Sequence, residues 1–515
     1  MRDNQSMKTW VIAVWICSAA GAGAQNAQQP GAAAPLVNLN VVAKDGRGQA
    51  VTDLTRDDFQ VFEGSKAQRV VSFRRNDATM KRAMRAEANE YSNRSGVPME
   101  RVRVILFDLL NARFEDRGSM LHELGPALGH VEASETLFFY ILTMNGTLYA
   151  VHGLPDGDRG AAAAAGARPW TDDIKALLES ASRELFRLRS VGIDVDTRVR
   201  MTYKALGSLA DLVAAAPGRK SLIWISHGVP ISLGLGNTYY SGMDYTPLLQ
   251  RLTSTLDRAD VAVYTVRQPE SLAPGAGASS GAESRSGAPA DAPGITPATE
   301  DTLEQFAQLT GGYAFMTPDI RGAIARAASD ARMSYRIGYE PPLGNWDGKY
   351  HKIRVTCARK GVKLETKQGY YAFADMAAEG DREKAALEAA MASAFNATEI
   401  GLYVRLTEHE PGTHSVELAI RVDAGDVGLV QAGELATGRL AVSVVGYMKD
   451  GRTEMFPAEE VTPKLTAEQR EKALREGIRV EERLVLAEGV ERLRVLVYDR
   501  GSGAVGSLEI PLGRK

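Results

Sequence analysis

A chain of 515 residues is too long to fold around one hydrophobic core, and its length alone predicts about three or four domains. With 44% hydrophobic and 24% charged residues and a net charge of −3, it has the composition of a folded globular protein. It lacks the basic excess that nucleic acid or an anionic membrane surface demands, and its two cysteines exclude a disulfide-dense scaffold.

At the N-terminus, Lys8 precedes an apolar run from Trp10 to Ala20, and Ala22, Gly23 and Ala24 supply the small-x-small pattern of a signal peptidase site. This predicts a cleavable signal peptide over 1–24, cut after Ala24, and hence a secreted or periplasmic address. The run is shorter than the roughly 20 residues needed to span a bilayer, so no membrane span is expected after cleavage. Cys17 leaves with the signal, and Cys357, alternating with Ile353 and Val355, reads as an inert thiol on a strand.

A Gln/Ala/Pro-rich stretch over 25–35 is expected to be a disordered tether. Over 36–75, Leu39 and Val41 alternate with polar residues up to a turn at Asp45-Gly46-Arg47-Gly48. A second hairpin carries Phe59 and Val61, then Val70, Val71 and Phe73. Four short strands form half a β-sandwich, whose apolar face needs partners from elsewhere in the chain. The charged, aperiodic segment 76–100 reads as a linker.

From Arg101 the pattern changes. VRVILFDLLNA (Val102–Ala112) is a near-continuous apolar run interrupted by Asp108 and Asn111, the signature of a strand buried on both faces. Further core strands are expected at Thr136–Thr143, Ser221–Ser226 and Val261–Val266, with an antiparallel neighbour after Asn145-Gly146. Helices are expected at Ser119–Gly129, Thr171–Phe186, Thr197–Ala216, Asp244–Arg258 and Asp319–Arg332. This alternation predicts an α/β domain over 101–334, a mostly parallel sheet with helices on both faces. Its Ala/Gly/Ser/Pro-rich stretch 271–298 is expected to be a disordered loop. Strands over 335–374 are candidates to complete the first sandwich, making the α/β domain an insertion within it. A linker helix over 375–396 leads to an immunoglobulin-like β-sandwich over 397–515.

The pieces VTDLTRDDFQVFEG, VILFDLLNARFED, WTDDIKAL, PGRKSLIWISHGVP, LTGGYAF, YRIGYEPP and KYHKIRVTCARKGVKLETKQGYYAF follow one another across most of residues 36–373. In that order they resemble the VWFA-related proteins of Acidobacteria, and the α/β stretch resembles the von Willebrand factor A domain. The resemblance implies a Rossmann-like sheet whose C-terminal edge carries a metal-ion-dependent adhesion site, where a divalent cation engages a partner's carboxylate.

That site uses Asp-x-Ser-x-Ser after the first strand, a Thr from a later loop and an Asp at the end of the fourth core strand, all oxygen donors suited to Mg²⁺. Here Asp108 fills the first place, but Leu110 and Ala112 replace the serines, and His227 of Ser226-His227-Gly228 stands where the Asp is expected. Around Thr202 the sequence leaves the threonine position open. Asp108 is thus the surviving ligand of a degenerate site, and no metal or cofactor is expected. A second reading of Asp108 is a carboxylate that caps the following turn.

The resulting expectation is an exported, non-enzymatic interaction or adhesion protein. It would bind a protein in the envelope or outside the cell through the sheet rim at Asp108, Asn111, Ser226 and His227, flanked by the loops 231–243 and 271–298. One alternative is a divalent-cation-dependent adhesin. Another is a hydrolase using Asp108, Ser226 and His227; against it, adjacent residues on a strand end point apart, and no nucleophile elbow precedes the serine. The sequence carries no phosphate loop, CxxC pair or dinucleotide fingerprint.

Overall fold

The computed structural model describes residues 37–77, 84–94, 102–112, 137–152, 193–214, 219–229, 244–267, 300–342, 347–373, 379–393, 396–410 and 414–512. The signal segment, the tether, the helices expected at Ser119–Gly129 and Thr171–Phe186, and the loops 231–243 and 271–298 lie outside these residues.

The chain begins with β1 (Val37–Lys44), β2 (Phe59–Glu63), β3 (Lys66–Gln68) and β4 (Val70–Asp77). Period-2 alternation buries Val37, Leu39 and Val41 on one side of β1, and Phe59 and Val61 on one side of β2. The segment expected as a linker over 76–100 is not a free tether in its described part. It carries β5 (Tyr91–Ser92), which pairs antiparallel with a strand of the C-terminal domain. The physical reason is polar. Asn93 Nδ2 donates to the carbonyls of Ala397 (2.7 Å) and Ile400 (2.9 Å), and its Oδ1 accepts from the Leu402 amide (2.9 Å), so one side chain imitates a strand neighbour.

The α/β segment holds β6 (Arg103–Asp108), β7 (Leu137–Leu142), β8 (Leu148–His152), α1 (Val195–Ala214), β9 (Lys220–Ser226), α2 (Thr246–Arg258), β10 (Val261–Arg267), α3 (Glu300–Thr310), β11 (Ala314–Phe315) and α4 (Ile320–Arg332). The sheet order is β11-β10-β9-β6-β7-β8. Every pair in it is parallel except β7 with β8, which turn at Asn145-Gly146 with Gly146 at φ 79°. Alternate residues of each central strand enter opposite cores. Val104, Leu106, Leu222 and Trp224 pack with Tyr203 and Leu206 of α1, Leu252 of α2 and Phe306 of α3. Ile105, Phe107, Ile223 and Ile225 pack instead with Ile320, Ala323 and Ala327 of α4. Burial on both faces is why these strands read as continuous apolar runs. Each large side chain so buried contributes roughly 1.5–3 kcal/mol.

Arg332 ends α4 and the next residue opens β12 (Met333–Tyr339), followed by β13 (Tyr350–Cys357), β14 (Lys363–Glu365) and β15 (Gly369–Tyr371). β12 lies between β1 and β4, antiparallel to both, with Val41 opposite Tyr335; β13 pairs with β2, with Val61 opposite Val355. The two sheets, β14-β1-β12-β4 and β15-β13-β2-β3, enclose Leu39, Val41, Val61, Tyr335, Ile337 and Tyr339. Strands from before and after the α/β segment therefore share one core. Lys44 Nζ binds Asp330 of α4 (2.9 Å) and Glu365 (3.0 Å), tying that sandwich to the inserted segment. Cys357 is a half-buried free thiol at the end of β13.

The remainder comprises α5 (Glu379–Ala392), β16 (Leu402–Glu410), β17 (Ser415–Val422), β18 (Val430–Ala432), β19 (Leu435–Thr437), β20 (Leu440–Met448), β21 (Thr453–Met455), β22 (Glu459–Val461), β23 (Lys464–Leu465), α6 (Ala467–Glu476), β24 (Ile478–Val485), β25 (Val490–Asp499) and β26 (Val505–Pro511). The antiparallel sheets β24-β17-β16-β5 and β21-β20-β25-β26 enclose Leu402, Leu418, Val442 and Val495. Arg494 reaches across to the end of α5, where Nη1 donates to the carbonyls of Ala390 (2.8 Å) and Ser393 (2.6 Å). Among the described residues no helix is long and apolar enough to cross a membrane.

Candidate functional site

Counted along the sheet, the strand order is 3-2-1-4-5-6, and it reverses between β6 and β9. Open α/β sheets place ligands at the carboxyl ends of the strands beside such a reversal. Asp108 ends β6 and Ser226 ends β9, so these two residues flank the switch point.

Beyond Asp108, Leu109 donates its amide to the Leu142 carbonyl (2.9 Å), continuing the ladder to β7. The chain then turns, and the Asp108 side chain captures the turn: Oδ1 accepts from the Asn111 amide at 3.1 Å. Three side-chain donors meet Oδ2. They are Asn111 Nδ2 (2.8 Å), Ser226 Oγ (2.7 Å) and Trp224 Nε1 (3.2 Å). Asn111 Nδ2 also donates to Thr202 Oγ1 (2.8 Å), which itself donates to the Arg198 carbonyl one turn back along α1 (2.9 Å). The Gly228 amide donates to Ser226 Oγ (2.9 Å).

Burial of this cluster is nearly complete. Asp108, Thr202 and Ser226 are 0% exposed and His227 is 7% exposed, while Asn111 is half-buried. Burial disfavours the charged carboxylate and lifts the Asp108 pKa above its ordinary value, against the opposing pull of its hydrogen bonds from Asn111, Ser226 and Trp224. Leu110 belongs to the core on the Trp224 side of the sheet and Ala112 to the core on the opposite side, so both positions continue the apolar interior. Phe306 of α3 meets the Trp224 ring edge-on at 5.4 Å and lies 5.8 Å from Tyr203, holding the indole that faces Asp108.

The structure thus brings Asp108, Asn111 and Ser226 into one hydrogen-bonded group, with His227 next to them on the chain. One member, Trp224, escaped the sequence reading. Trp224 carried a signal, because it lies two residues before Ser226 and so on the same strand face. Thr202, the threonine position that the sequence leaves open, is brought to Asn111 by the packing of α1. Among the described residues, no group of three or more His, Cys, Asp or Glu side chains is gathered as metal ligands.

No protein-family model and no curated protein matches the chain. Among solved structures, it is similar to an aerotolerance-related membrane protein from Bacteroides fragilis NCTC 9343 with multiple mutations to serines, at 11% identity, over 45% of this chain and 98% of that chain, with a TM-score of 0.24. It is also similar to a Bacteroides uniformis beta-glucuronidase at 11% identity, over 34% of this chain and 18% of that chain, with a TM-score of 0.13.

Proposed function

We propose that the chain is an exported, non-enzymatic interaction protein. In this reading its α/β segment is a von Willebrand factor A-like domain whose metal-ion-dependent adhesion site has become a structural hydrogen-bond cluster. The rim above that cluster binds a protein partner in the envelope or outside the cell.

The observation that carries this reading is the internal satisfaction of Asp108. A carboxylate offers about four acceptor positions, and donors from Asn111, Ser226 and Trp224 already face it. A divalent cation such as Mg²⁺ requires near-octahedral oxygen coordination. Leu110 and Ala112 offer no side-chain oxygen, and Asn111 turns a donor toward Asp108, so the residues present do not fit the ion. Burial of Ser226, whose hydroxyl is committed to Asp108, likewise supports a positioning role over nucleophilic chemistry. Asp108 and Ser226 then shape the rim, and contact falls to Asn111 and its neighbours.

One observation favours a second reading, the cation-dependent adhesin. Thr202 Oγ1 and Ser226 Oγ both converge on the group, and turning the Asn111 amide over would add its Oδ1 to them and to Asp108. Calorimetric titration of the full chain with Mg²⁺, Mn²⁺ and Zn²⁺ separates the two. Heat that disappears in Asp108→Asn establishes the adhesin. Silence with all three ions, together with loss of cross-linked envelope partners in a folded Asn111→Ala/His227→Ala variant, supports the rim; unchanged cross-linking in that variant removes it.

A further inference from the structure

In the C-terminal sandwich, β24 ends the sheet β24-β17-β16-β5, and among the described residues β17 is the only strand paired with it. The end strand of the facing sheet is treated differently. β26 is covered along its outer side, where the Ser507 amide donates to the Ala397 carbonyl (2.9 Å) and the Ile400 amide donates to the Val505 carbonyl (3.2 Å). An edge strand of eight residues such as β24 is a template for pairing with another strand.

The ladder to β17 fixes which backbone groups of β24 point outward. Just past the strand the Leu486 amide donates to the His414 carbonyl (3.0 Å), and within it Val485 stands opposite Ser415. Hydrogen-bonded and non-hydrogen-bonded positions alternate in an antiparallel pair. Ile478, Val480, Glu482 and Leu484 therefore turn their amides and carbonyls toward β17, while Arg479, Glu481, Arg483 and Val485 turn theirs away from it. The same four residues carry exposed side chains, whereas Ile478, Val480 and Leu484 enter the sandwich core. Their row reads cation, anion, cation and then an apolar valine that is 71% exposed.

We propose that β24 pairs antiparallel with β24 of a second copy of this chain, across a twofold axis at Glu482. That register opposes Glu481 of each copy to Arg483 of the other, twice over, and lays Val485 on the aliphatic stem of Arg479. Glu417 of β17 already stands 4.0 Å from Arg483, so the copy's Glu481 closes a row of alternating charge. Other registers do worse. Centring on Glu481 sets that carboxylate against itself and Arg479 against Arg483, and centring on Arg483 opposes two guanidiniums. Centring on Val480 matches Arg479 with Glu481 but carries Arg483 and Val485 past the start of the opposite strand. At the chosen axis Glu482 meets its own copy, and its hydrogen bond with Glu459 holds that carboxyl to its own protomer. The surface belongs to a different domain from Asp108 and stands independently of the rim reading.

Sedimentation of the full chain from micromolar to sub-millimolar concentration tests this. The expected result is a reversible dimer, with hydrogen exchange at Arg479, Glu481, Arg483 and Val485 slowing as the concentration rises. Glu481→Arg and Arg483→Glu each turn two attractive pairs into two repulsive ones and weaken association about tenfold or more. Mixed in equal amounts, the two variants restore it as a heterodimer, because every pair is then complementary again; recovery on mixing also shows that both variants fold. The double variant Glu481→Arg/Arg483→Glu, which exchanges the charges within each pair, associates as the wild type does. A wild type that stays monomeric throughout overturns the self-pairing and leaves the edge to solvent or to a strand of another protein. A dimer indifferent to both reversals, or reversals that mixing does not rescue, overturns this interface.

Discussion

Trp224 and Ser226 lie two residues apart on one face of β9, and both donate to the same oxygen of Asp108, at 3.2 and 2.7 Å. An indole and a hydroxyl at successive same-face positions thereby lock β9 to the end of β6. Removing the acceptor leaves the Trp224 and Ser226 donors buried without it and the Asn111 amide released, while Asn111 Nδ2 keeps Thr202, so Asp108→Ala is expected to cost about 3 kcal/mol. Asp108→Asn keeps one oxygen and loses less. Urea unfolding followed by tryptophan fluorescence measures both, and an Asp108→Ala protein as stable as the wild type would remove the structural role of the cluster.

The sheet was legible because its strands are apolar on both faces. The run opening at Val102 becomes β6, and the strand expected at Thr136–Thr143 stands at Leu137–Leu142. The helix α6 was missed for the opposite reason: of its residues Ala473 alone is buried, leaving no apolar stripe to read. Its capping box, Thr466 with Gln469, and the left-handed Gly477 at φ 85° were the available local signals. At the site, Asp108 and Ser226 could be placed from strand ends, whereas Thr202 reaches Asn111 through tertiary packing that spacing does not encode.

A pH dependence follows from His351 in the first sandwich. Its Nδ1 lies 2.7 Å from Glu63 Oε1 and its Nε2 lies 2.9 Å from Asp347 Oδ1, while Tyr339 donates to Glu63 at 2.9 Å. Burial opposes the charged ring, but the hydrogen bonds and charges of the two carboxylates together outweigh it and raise the pKa above 6.5. A raised histidine pKa gives stability that is complete below the unfolded value of about 6.5 and is lost as pH rises through the folded value. Denaturant unfolding from about pH 6 to pH 9 is expected to show this decline in the wild type and a flatter profile in His351→Gln. Equal slopes would remove the histidine from the account.

Asp426 joins two domains through one carboxylate. Arg74 of β4 binds Oδ1 at 3.2 Å, Arg94 pairs with Oδ2, and the Gly401 amide donates to Oδ2 at 2.9 Å. Both arginines are largely buried, so Asp426→Ala leaves two cations and an amide short of an acceptor. The expected loss is about 3 kcal/mol, the lower end for breaking a buried pair. Chemical unfolding measures it, and limited proteolysis of the variant is expected to accelerate as the contact between the first sandwich and the C-terminal domain loosens. A proteolysis rate unchanged by the substitution would show that other contacts hold the domains.

Glu482 of β24 gives a second pH window, at lower pH than that of His351. Partial burial, a hydrogen bond with Glu459 of β22 and the charge of that neighbour push its carboxyl pKa up to about 7. The folded protein therefore retains a proton that the unfolded chain releases near its ordinary value of about 4.3. Stability from this group is complete below that unfolded value and is lost as pH rises through about 7. Glu482→Gln imitates the protonated carboxyl and keeps a donor for Glu459. It is expected to match the wild type near pH 4 and to exceed its stability above pH 7, with the gap opening between the two. Thermal midpoints across that range measure it, and a constant offset at every pH would assign the effect to packing rather than to the proton.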